Sequence, residues 1–69
     1  MKEIADALEK IADTIAREIH RANSEAVLRD LLDIHAEALK LSLAIRDGID
    51  VSIDAAEALI ARYEAIPKV

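Results

Sequence analysis

The side chains that could do chemistry are the imidazoles of His20 and His35, the hydroxyls of Ser24, Ser42 and Ser52, and the phenol of Tyr63. A serine nucleophile needs a base held within hydrogen-bond reach. None of the three serines has a plausible one, and Ser24 and Ser52 stand where helices begin, so they read as caps. A metal site on a helix needs a second ligand three or four positions from the first. Around His35 those positions carry Leu32 and Leu39, and the two histidines lie too far apart along a helical hairpin to share an ion. Only His35 meeting its own symmetry mate could bind one. With a single glycine, Gly48, there is no phosphate-cradling loop. With no cysteine there is no disulfide, thiolate zinc site or nucleophilic thiol. The expectation is a protein without catalytic residues, metal, cofactor or small-molecule substrate.

Structural roles account for these residues better. His20 projects to a polar flank and reads as a solvated surface histidine. His35 falls mid-way along an apolar face, where a buried imidazole takes a hydrogen-bond partner, and Ser42 follows it on the same stripe. In a hairpin register Ala12 faces His35 and Ala5 faces Ser42, so small residues make room for polar ones. A buried polar layer of this kind can fix register or oligomeric state. Tyr63, at helical spacing, reads as core or interface. The carboxylates are scattered over solvated faces near opposite charges, as Glu37 is near Lys40.

The elements that carry these residues are helices. Ile4, Leu8, Ile11, Ile15 and Ile19 recur in steps of three and four, with Ala22 continuing the row. Ala5, Ala12 and Ala16 form a small-residue row beside it, and Lys2, Asp6, Lys10, Asp13 and Arg17 take the far side. The pattern predicts a helix over 2–22. Asn23 tolerates the left-handed conformation that ends helices, and Ser24 is a preferred N-cap with Glu25 in the first turn behind it. A tight hairpin follows from this, although a continuous helix through residue 46 is an open alternative because neither Gly nor Pro enforces the break. The second helix, over 25–46, carries two apolar stripes: Val27, Leu31, Ile34, Ala38, Leu41 and Ile45, and then Leu28, Leu32, His35, Leu39 and Ser42. Asp47-Gly48 ends it, and Ser52 or Asp54 can cap a third helix over 53–66, closed by Ile66-Pro67. The fold class is all-α, one helical domain over 1–69, a hairpin plus a shorter third helix.

The apolar positions of the second helix cover roughly 200° at 100° per residue, more than the somewhat over 100° that one core needs. A third helix about 20 Å long, folded back on one about 33 Å long, is expected to cover only the half nearer Gly48. Ile15, Ile19, Val27, Leu28, Leu31, Leu32, His35, Leu39 and Ser42 are therefore the expected interface, and a partly exposed patch of that kind marks association. The expected partner is the chain itself, as a homo-oligomer, with a two-fold dimer first and higher cyclic order open. If His35 is buried there, acid should weaken assembly.

Composition narrows the classes. Sixty-nine residues hold one domain, and a core of that size gains from association or very regular packing. The chain is 54% hydrophobic with one aromatic residue, and its net charge is −5, with acidic and basic residues interleaved. There is no basic stripe for nucleic acid, no apolar run long enough to span a bilayer, and no signal peptide at the N-terminus, so a soluble protein with no targeting signal, cytoplasmic on expression, is expected. Short loops at Ala22-Asn23-Ser24 and Asp47-Gly48, well-placed caps, Ala-, Ile- and Leu-rich faces and interleaved charges together resemble computationally generated, de novo designed helical homo-oligomers. That resemblance covers the whole chain and implies self-assembly as its purpose, with no biochemical activity. The alternative reading is a natural interaction module whose apolar groove accepts a partner helix.

Overall fold

The computed structural model describes residues 2–22 and 24–66. Helix α1 runs Lys2–Glu18 and tightens into a 3₁₀ turn over Ile19–Arg21, α2 runs Glu25–Arg46, and α3 runs Ile53–Ala65. Among the described residues there is no strand. The described residues are all-α, with three helices.

Each boundary has a local cause. Ala22 is extended at ψ 128°, which ends the first helix. Ser24, at φ −138° and ψ 152°, opens α2 by accepting a hydrogen bond from the Val27 amide on its hydroxyl at 3.1 Å. The chain therefore turns here rather than continuing as one helix. Asn23, expected to help end α1, and Pro67, expected to close α3, lie outside the described residues. At the other end of α2 the Gly48 amide donates to Ile45 O at 3.1 Å and the Ile49 amide to Ala44 O at 2.9 Å. These two bonds form a Schellman cap. It needs a left-handed residue, and Gly48 supplies it at φ +79°. Ser52, rather than Asp54, caps α3 by accepting from the Ala55 amide. Ile66 is the C-cap, extended at ψ 129°, so α3 stops one residue short of the expected end.

The core is one cluster drawn from all three helices: Leu8, Ala12 and Ile15 from α1, Leu31, Ile34 and Ala38 from α2, and Ala56 and Leu59 from α3. Alanines at Ala12, Ala38 and Ala56, each within 2% of fully buried, let the backbones approach closely while the larger Leu and Ile fill between them. Ala5 is buried as expected, but Ala16 is exposed.

One expectation about coverage is overturned. Helix α3 does not stop over the half of α2 nearer Gly48. Arg62 Nη2 donates to Asp33 Oδ2 at 3.2 Å, and Arg62, Ala65 and Ile66 line a cleft with Asp30 and Ile34. The segment Ile49–Ser52 carries the chain across before α3 begins, so the far end of α3 reaches Asp30. Ile15, at 0% exposure, and Leu31, at 8%, are sheltered within the chain as a result.

Candidate functional site

Four buried residues define the inward side of α2: Leu31, Ile34, Ala38 and Ser42. About 100° around the helix, at 3.6 residues per turn, runs a second row that the chain leaves uncovered. Leu32 is 50% exposed, Leu39 40% and Leu43 60%, with Leu28 and His35 half-buried and Ala36 exposed between them. Leucines at such exposure, aligned on one face, form a patch and not a scatter.

Two ion pairs locate this strip. Arg46, on the same angular row, donates from Nε to Glu9 Oε1 at 2.6 Å and from Nη2 to Glu9 Oε2 at 2.7 Å, with Asp6 Oδ1 at 3.3 Å from Nη2. Asp33, more than a quarter-turn away on the other side, binds Arg62 of α3. The strip therefore flanks α1 and faces away from α3. The forked Arg46 contact is the geometry guanidinium and carboxylate favour; it holds the Glu9 carboxyl below its usual range, with burial opposing and the Arg46 charge reinforcing. Elsewhere Arg17 pairs with Asp13 and Arg29 more loosely with Glu25 along their own helices. Glu37 and Lys40, expected as a pair, do not come within 4 Å of one another.

The nine residues expected at an interface divide. Leu32 and Leu39 are exposed, and Leu28 and His35 are half-buried on the same strip. Ile19 and Val27 are partly buried and pack against the core. Ile15, Leu31 and Ser42 have almost no free surface, so they cannot contribute to an interface. Ser42 donates its hydroxyl to Leu39 O at 3.0 Å, three residues back on its own helix, so its burial needs no partner. Sequence reasoning missed Leu43, although the four-residue step from Leu39 points to it. It also missed Ile49, 59% exposed, and Ile53, 49% exposed, at the end of the molecule near Gly48.

His20 is exposed, and Tyr63 is partly buried against the core, with its phenol pushed up by burial and then by the Glu18 charge. The cleft beside Arg62 is about 230 Å³, open, and below the size usual for a small-molecule site. Among the described residues no three His, Asp or Glu side chains are grouped as metal ligands, and no helix is long and apolar enough to cross a membrane. No protein-family model matches the chain, and it has no significant match among curated proteins or solved structures.

Proposed function

We propose that this chain is a structural subunit that associates with copies of itself through the uncovered strip on α2, and that it carries no biochemical activity. The observation behind the proposal is the exposure of Leu32, Leu39 and Leu43 on one helical face while a complete core sits on another. The core does not need these leucines, and solvent disfavours them. Fully covering a leucine is worth about 1.5–3 kcal/mol, so each half-exposed one supplies roughly 1 kcal/mol, counted twice in a symmetric pair. A gain of that size supports concentration-dependent association. The resemblance to designed helical assemblies agrees with this role.

Native mass measured over a micromolar concentration series tests the proposal. The expected result is a rise from monomer toward dimer or a higher closed assembly, abolished by Leu32→Glu or Leu39→Glu with helix content unchanged. A monomer throughout, or assembly that survives both substitutions, overturns it.

A further inference from the structure

We infer that the occupant of the strip is α2 of a second copy, running antiparallel, with the two-fold axis between His35 and Ala36. This rests on the self-association proposed above and specifies its geometry.

The strip reads the same in both directions from that point. Three positions outward from His35 and from Ala36 stand Leu32 and Leu39; four further out stand Leu28 and Leu43. Three positions beyond those stand Glu25 and Arg46, of opposite charge. An isologous interface requires that each residue meet its complement on an identical surface. Antiparallel pairing about this axis sets Leu28 beside Leu43 of the partner subunit and Leu32 beside Leu39 of the partner subunit. Glu25 then meets Arg46 of the partner subunit at both ends. A parallel pair would set Glu25 against Glu25 and Arg46 against Arg46.

Arg46 can serve both contacts. Its bonds to Glu9 and Asp6 use Nε and Nη2, and its side chain remains 46% exposed, which leaves Nη1 for a further carboxylate. Glu25, 82% exposed, is held only loosely by Arg29 at 3.7 Å. The strip flanks α1, so the axis brings both copies of α1 to one side of the pair. There the exposed Ala16 adds little bulk. The middle layer is His35 and Ala36, polar beside small, between two layers of leucine.

The absence of cysteine makes the register directly readable. Paired helices lie about 8–10 Å apart, and a disulfide forms only when Cα atoms come within about 7 Å. Ala36→Cys sits beside the axis and is expected to cross-link to itself. Leu28→Cys lies about 22 Å along the helix from its own symmetry mate, so alone it should not cross-link, whereas an equal mixture of Leu28→Cys and Leu43→Cys should. These positions lie outside the core, and circular dichroism checks that each variant stays folded. Self-cross-linking of Leu28→Cys would mean parallel pairing and overturn the register. Assembly by mass without cross-links from Ala36→Cys or from the mixture would overturn the strip as the interface between α2 helices, while leaving self-association intact. A monomer by mass would overturn both.

Discussion

Arg46, in the last turn of α2, is bound through two nitrogens to Glu9 in the middle of α1, 37 positions earlier. This fork closes the open end of the hairpin, opposite the end where Ala22 leaves the first helix and Ser24 opens α2. It sits at the end of the exposed strip, so one arginine belongs both to the tertiary fold and to the proposed interface.

The fork gives a pH dependence with a definite sign. The Glu9 carboxyl titrates below its ordinary value of 4.5 in the folded chain because Arg46 donates hydrogen bonds to its charged form. A lowered folded value contributes stability that is present above the unfolded value and lost as pH falls through the folded one. Thermal stability should therefore drop below about pH 4.5, and Glu9→Gln should reduce the size of that drop. The pair is solvent-exposed, so the effect should be small and shrink further in high salt. Melting curves from neutral pH to pH 3 check this; an unchanged acid limb in Glu9→Gln would assign the loss to other carboxylates.

Ile34 is 1% exposed and lies in the one core cluster all three helices share. Ile34→Ala should cost about 2–5 kcal/mol, enough to lower the melting temperature by tens of degrees in a domain of this size. Leu32→Ala, two positions away but 50% exposed, should change monomer stability by well under half as much. Denaturation at a concentration where the protein is monomeric separates the two; equal losses would mean that the strip is part of the core.

Gly48→Ala tests the cap between α2 and α3. No atom lies within 4 Å of where a Cβ would stand, so space is not the issue. The backbone is, since φ is +79°. The left-handed conformation costs an L-residue about 1–2 kcal/mol, and urea unfolding should register a loss of that order. No loss would mean that the turn relaxes to another conformation without effect on α3.

His35→Leu bears on the proposed axis. In one subunit the imidazole is half-buried; the proposed pairing would cover it, and covering a polar group without full hydrogen bonding is costly. The leucine variant should dimerise more tightly, by about tenfold, or about 1.4 kcal/mol. Its register should be less strictly held, because a polar layer restricts which alignments are tolerated. Sedimentation equilibrium gives the affinity, and the Leu28→Cys cross-link in the same background reports the register. Weaker dimerisation would make His35 a favourable contact in its own right.

The helices were written in the chain itself. Steps of three and four in Ile4, Leu8, Ile11 and Ile15, the cap at Ser24 and the single glycine after Asp47 are local signals, and each acts through bonds between residues a turn apart. They gave α2 its span of Glu25–Arg46, although the break before it was settled only by the extended Ala22 and the Ser24 cap of the folded chain. The second apolar stripe of α2 was equally visible, because angular position around a helix follows from residue number alone. What only the tertiary structure decided was how far α3 slides along α2. That translation depends on the path of Ile49–Ser52 and on how Ala56 and Leu59 fit between α1 and α2, neither of which has a period in the sequence. It sheltered Ile15 and Leu31, and so confined the proposed interface to the row of Leu32, Leu39 and Leu43, which faces away from α3.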